Sequence, residues 1–133
     1  MRAYRFRAWD GEAEHMVYSD KKEDFYVWDV ENTTLKIWRF DEVPATQDEP
    51  EGMESTDIGG DIMQFTGLLD RHGKEIYEGD ILVNAAFGKM VVEWDENHAR
   101  FIFRTAQNEA SLYLVSLPEV IGNIYSNPEL VAP

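Results

Sequence analysis

The sequence predicts an all-β or mainly β domain of short, strongly bent strands, and three observations carry that reading. Runs of aromatic and β-branched residues recur about every eight to twelve positions. Turn-forming clusters stand between them, as at Asp10-Gly11, Glu31-Asn32, Asp70-Arg71-His72-Gly73 and Asn127-Pro128. No stretch keeps a helical apolar period for more than about two turns.

The first strand is expected over residues 2–9, with Tyr4, Phe6 and Ala8 on one face and Arg5, Arg7 and Trp9 on the other. Asp10-Gly11 turns the chain into a return strand, His15–Tyr18. Phe25–Val30 and Thr33–Phe40 follow as strands with apolar groups on both faces, reversed at Glu31-Asn32. Residues 1–40 thus read as an N-terminal hairpin region.

Residues 41–61 change character. They hold eight acids, no base, two prolines and the Gly59-Gly60 pair, with no apolar period to fold against. Mutual repulsion and the entropy of ordering predict a flexible acidic loop.

Residues 62–133 read as a small C-terminal barrel of SH3-like type. Ile62–Phe65 leads into Thr66-Gly67-Leu68-Leu69-Asp70-Arg71-His72-Gly73-Lys74-Glu75-Ile76-Tyr77-Glu78-Gly79-Asp80-Ile81, where three glycines six residues apart suit repeated tight reversals. Asp70 first and Gly73 fourth fit a type I turn, and Glu78-Gly79-Asp80 turns again before a strand at 81–84. Strands at 89–94 and 99–104 flank a four-residue hairpin loop, and 112–115 is one more. Ser116-Leu117-Pro118-Glu119 suits a single helical turn before a last strand, 120–125, which contains Gly122. Gly67, Asp70, Gly73, Gly79, Asp80 and Gly122 are therefore structural turn residues.

Composition bounds the function. The 133 residues carry 44% apolar and 13% aromatic residues, enough for a core despite a mean hydropathy of -0.44. A formal charge of -14, from 26 acids and 12 bases, repels phosphate backbones and attracts basic partners, so nucleic-acid binding is not expected. The absence of cysteine removes disulfides and thiolate chemistry. The basic N-terminus alternates with aromatics and lacks the apolar run of a signal peptide, and no run approaches a membrane span. A cytoplasmic protein without membrane contact is the expectation.

Three segments together resemble the YopX family of phage and prophage proteins: Tyr4-Arg5-Phe6-Arg7-Ala8-Trp9-Asp10, the stretch from Thr66 to Ile81, and Val120-Ile121-Gly122-Asn123-Ile124-Tyr125-Ser126-Asn127-Pro128-Glu129-Leu130. The resemblance implies a small, mainly β protein of phage origin inside a bacterial host, with a tendency to self-associate and no established activity. It supplies no catalytic residues. The family pattern carries asparagine where this chain has His72, which marks that position as turn geometry.

Chemistry is sparse. His15, His72 and His98 lack metal-ligand spacing. Asp70, Glu75, Glu78 and Asp80 supply oxygens of the kind a hard cation needs, but Asp70 and Asp80 have a competing task as acceptors for turn N–H groups. No nucleotide-loop or nucleophile motif is present. Arg2, Arg5 and Arg7 with Tyr4, Phe6 and Trp9 have the composition of a single-strand binding face, against which the overall charge weighs. The sequence therefore predicts no catalytic, cofactor or metal site. It points to a non-enzymatic accessory protein working through protein contacts, as a homo-oligomer or with an unidentified phage or host protein. Tyr4, Phe6, Trp9, Trp28 and Trp38 are the candidate interaction surface. The alternative is an acidic mimic of nucleic acid that occupies a basic host protein.

Overall fold

The computed structural model describes residues 3–106, 109–111 and 118–131, and these are almost wholly strand and turn. Strands make up most of the described residues, and the protein is all-β. Two units divide it: Arg5–Ile62, and Met63–Pro133 together with Met1–Tyr4.

In the unit Arg5–Ile62, β1 (Phe6–Asp10) and β2 (His15–Tyr18) form an antiparallel hairpin with Ala8 opposite Val17. Its pairing closes at Phe6, whose carbonyl accepts from the Ser19 N–H at 2.8 Å, so the regular strand begins later than the expected position 2. A meander follows: β3 (Tyr26–Glu31), β4 (Thr34–Val43) and β5 (Gly52–Asp57). Asn32 and Thr33, at φ +49 and +65, make the tight reversal between β3 and β4.

Period-two alternation decides the core of this unit. Trp28 stands opposite Ile37, and Tyr26 opposite Arg39, so these side chains share one face. There Ile37 is buried with Ala8 and Val17, and Tyr26, Trp28, Ile58 and Ile62 pack around them.

The acidic stretch departs from expectation. Residues 41–43 continue β4, and Gly52–Asp57 is a strand paired with it, Asp41 opposite Glu54 and Glu42 opposite Met53. A ribbon needs no apolar period when its side chains stay in water, because the strand ladder itself satisfies the backbone. Only residues 44–51 connect the two strands as an acidic turn.

In the second unit, β6 (Ile62–Leu69), β7 (Glu75–Tyr77), β8 (Asp80–Asn84), β9 (Gly88–Asp95), β10 (Arg100–Arg104), β11 (Glu109–Ser111) and β12 (Glu119–Asn123) follow in order. Five of them make an antiparallel sheet in the order β11-β10-β9-β8-β12, so the last strand returns beside the first of a four-strand meander. A register shift between Val120 and Gly122 bends β12, and the protein's curled sheet is a half-barrel. Ile76, Leu82, Met90, Val92, Phe101 and Phe103 form the core, with Val120 against it.

The expected strand at 112–115 and most of the helical turn at 116–119 lie outside the described residues. A 3-10 turn at Pro128–Leu130 is the helical element among those described. No helix of the described residues is long and apolar enough to cross a membrane.

Candidate functional site

The glycine-rich stretch builds backbone geometry. Gly67, Gly73 and Gly79 stand at φ +89, +82 and +83, a region that disfavours any side chain. The Gly73 N–H donates to the Asp70 carbonyl at 3.0 Å, closing the turn. The buried Asp70 carboxylate accepts three backbone N–H groups: His72 at 2.8 Å and Lys74 at 2.9 Å on Oδ1, and Val120 at 3.0 Å on Oδ2. Burial alone would raise its pKa, but these three donors outweigh that and hold the carboxyl below the usual range. Asp70 thereby fastens the turn to β12.

Asp80, also buried, accepts the Tyr77 N–H at 2.8 Å. Gly122 has no positive φ; a Cβ there would lie 2.5 Å from Asn127 Oδ1, so the close approach of Asn127 explains the glycine. Glu78 accepts the Gln64 N–H at 3.2 Å, and Glu75 the Tyr77 hydroxyl at 3.2 Å. The four carboxylates are thus engaged in local bonds, and the described residues hold no cluster of three or more potential metal ligands.

Each histidine faces its own carboxylate: His15 meets Glu23 and His98 meets Asp95, both at 2.7 Å, while His72 lies 3.5 Å from Glu119. Arg5 lies 3.8 Å from Asp20 and Arg7 is buried, so Arg5 and Arg7 do not form an open basic face. Arg2 lies outside the described residues.

Of the five aromatics expected at an interaction surface, Tyr4 is exposed, Phe6, Trp9 and Trp38 are half-buried, and Trp28 packs on the core. The outward face of β3–β4–β5 gathers apolar residues that the sequence reading did not single out. Register places Val27 opposite Trp38, Phe40 opposite Ser55 and Met53 opposite Glu42, all on the side away from Ile37. Val27 is 48% and Met53 56% exposed. Lys36 lies over the Trp38 ring at 5.7 Å and 3.0 Å from Glu31.

The other constellation missed by sequence reading centres on Arg39. Its Nη1 donates to both Asp10 oxygens, Nη2 to Glu12 at 2.9 Å and Nε to Asp41 at 2.9 Å. Tyr26 donates its hydroxyl to Asp10 Oδ2 at 2.8 Å. Burial, and then the adjacent Asp10 carboxylate, push the Tyr26 hydroxyl up to about 12. For Asp10, burial works upward, but Arg39, the Ala13 N–H and Tyr26 win and lower the pKa. Asp10 closes the first matching segment of the sequence, yet nothing local announces a partner on β4.

The family model described as YopX protein matches residues 5–132, nearly the whole chain. The chain belongs to the YopX family. Among solved structures, a crystal structure of protein EF1440 from Enterococcus faecalis is similar, at 25% identity and a TM-score of 0.60, with 99% of this chain and 100% of that one covered. No match was found among curated proteins. The YopX-like segments of the sequence fall on β1, on the stretch from β6 to β8, and on β12 with its 3-10 turn. The second and third segments are fastened to each other, the Val120 N–H donating to the Asp70 carboxylate and the Ile124 N–H to the Gly79 carbonyl.

Proposed function

We propose that this YopX-family chain is a non-enzymatic, phage-type accessory protein that works in the cytoplasm of a bacterial cell through protein contacts, first with further copies of itself. One observation carries the reading: the outward face of β3–β4–β5 sets Val27, Trp38, Phe40 and Met53 on neighbouring strands, with Val27 and Met53 about half exposed. Apolar residues grouped on adjacent strands are the usual mark of an association face. Light scattering at micromolar concentration tests it. The expected result is an oligomer that Val27→Lys with Met53→Lys dissociates while leaving the melting temperature of the fold in place. A monomeric parent protein would sink the self-association.

A second reading draws on the ribbon of β4 and β5, where residues 41–57 carry seven carboxylates and no base. Such a ribbon suits a mimic of nucleic acid that occupies a basic host protein. Neutralising Asp48, Glu49 and Glu51 to their amides separates the readings. Capture of a DNA-binding protein is lost under the mimic reading, whereas self-association persists under the first.

A further inference from the structure

β4 is longer than the strand that covers one of its edges. β3 pairs with residues 34–39 and stops, while β4 continues to Val43 against β5 alone. At the stopping point the Phe40 N–H still donates to the Phe25 carbonyl, at 2.7 Å. Backbone groups alternate sides along an antiparallel strand, so the N–H and C=O of Glu42 point into the same lane, from which β3 has withdrawn. The lane is an open groove of about 330 Å³, lined among others by Asp24, Phe25, Phe40, Asp41 and Glu42.

Phe25 turns the chain out of the lane at φ +72, a conformation bulky residues rarely adopt, and leaves its ring 51% exposed at the mouth. The groove is thus aromatic on one side and carboxylate-bearing along its length. Its cation, Arg39, is already bonded to Asp10, Glu12 and Asp41.

We propose that this open edge of β4 takes an extended basic segment of a partner protein by β-strand addition, continuing the line of β3 beside Asp41–Val43. Main-chain bonds to Glu42 would hold the segment, and alternate side chains would select it. A lysine or arginine opposite Glu42 lies on the same face as that carboxylate, the arrangement in which cross-strand charges attract. An acidic segment would meet Asp24 and Glu42, since Asp41 is already held by Arg39. The inference rests on the reading of the protein as one that acts through protein contacts, and it uses the backbone edge of β4, which adjoins the apolar face at Phe40.

The test is a titration of the isotope-labelled full chain, followed by amide resonances, with a synthetic peptide of alternating lysine and valine. A glutamate–valine peptide is the control. The basic peptide is expected to shift Phe25 and residues 40–43, with an affinity that falls as salt rises, and the acidic one to leave them in place. Glu42→Pro removes the N–H and is expected to weaken binding at least about tenfold, Glu42→Gln by less. Should Glu42→Pro lose its dispersed spectrum, Glu42→Lys decides, since it is expected to abolish binding of the basic peptide. Shifts confined to other surfaces, equal response to both peptides, or unchanged binding by a folded Glu42→Pro or Glu42→Lys variant would overturn the proposal. Sedimentation of the same samples keeps the readings apart: an intact oligomer with a silent groove defeats the groove alone.

Discussion

Arg39 holds both carboxylate oxygens of Asp10, at 3.0 and 2.9 Å, across 29 residues of sequence. The contact ties the end of β1 to the middle of β4, and Tyr26 adds a bond from β3 to the same carboxylate. One nitrogen, Nη1, reaches both oxygens while Nη2 and Nε reach Glu12 and Asp41, so the planar guanidinium spreads its donors over three carboxylates, which fixes its orientation as well as its charge. Asp10→Ala leaves Arg39 and the Tyr26 hydroxyl without this acceptor in a site where the aspartate is buried. The expected cost is on the order of 3 kcal/mol, read by urea unfolding. Arg39→Lys retains the charge but not the fixed planar donors that reach Asp10, Glu12 and Asp41 together, and should fall short of full stability. A parental midpoint for both variants would show that the network carries no stability.

Acid should attack the fold at two carboxylates. Asp10 and Asp70 both have folded-state pKa values below 3.8, each because bonded donors outweigh burial. With the folded value depressed, the stabilisation is present above the unfolded pKa and is lost as pH falls through the folded one. Melting temperature is therefore expected to fall steeply below about pH 4. The Asp10→Asn and Asp70→Asn variants, already less stable at neutral pH, should each show a shallower fall. Parallel curves for parent and variants would exclude these groups as the source.

How far the sequence disclosed this arrangement depends on distance along the chain. The stretch from Gly67 to Asp80 was legible because each feature is local: an aspartate accepting N–H groups two and four residues on, and glycines where φ turns positive. The Asp10–Arg39 contact was not, since no spacing rule links a turn aspartate to an arginine three strands later. Residues 41–61 misled for a different reason. Composition argued for a loop, but backbone pairing of Asp41 with Glu54 and Phe40 with Ser55 makes a ribbon without asking those side chains to leave water. Phe25 shows the same limit, because strand propensity places it in β3 while the chain leaves the sheet there at φ +72.

Alkali should act through Tyr26. Burial and the Asp10 carboxylate raise its hydroxyl from 10.0 to about 12. A folded pKa above the unfolded one means the stabilisation is whole below about pH 10 and is lost as pH rises toward 12. Tyr26→Phe removes the bond to Asp10 and should cost on the order of 1 kcal/mol at neutral pH. It should also flatten the alkaline decline. Equal slopes between pH 10 and 12 in parent and variant would show that Tyr26 is not the source of that decline.

Gly122 and Asn127 form a steric pair. A Cβ at position 122 would meet Asn127 Oδ1 at 2.5 Å and its Cγ at 2.8 Å, whereas the Asn127 carbonyl oxygen of the side chain now accepts the Asn123 N–H at 3.3 Å. Gly122→Ala is expected to expel the Asn127 side chain and lower the melting temperature. Asn127→Ala alone should lower it less, and the double variant should recover part of the loss because the clash is gone. Strict additivity of the two substitutions would mean that the residues do not compete for the same space.

Gly73 and Gly79 separate strain from packing. Both have positive φ, near +82 and +83, so a side chain at either position meets the same backbone penalty. Around Gly73 an added Cβ would find nothing within 4 Å, but at Gly79 it would lie 3.0 Å from Met63 Sδ and 3.7 Å from Ile124 Cγ1. Met63 is itself buried and has little room to withdraw. Gly73→Ala should therefore cost about 1 kcal/mol from conformation alone, and Gly79→Ala about 2 to 3 kcal/mol from conformation and overpacking together. Valine adds β-branching at both sites and should enlarge each loss. Chemical denaturation of the four variants measures the difference directly. If Gly73→Ala proved as damaging as Gly79→Ala, packing of Met63 against the turn would not be what distinguishes the two glycines.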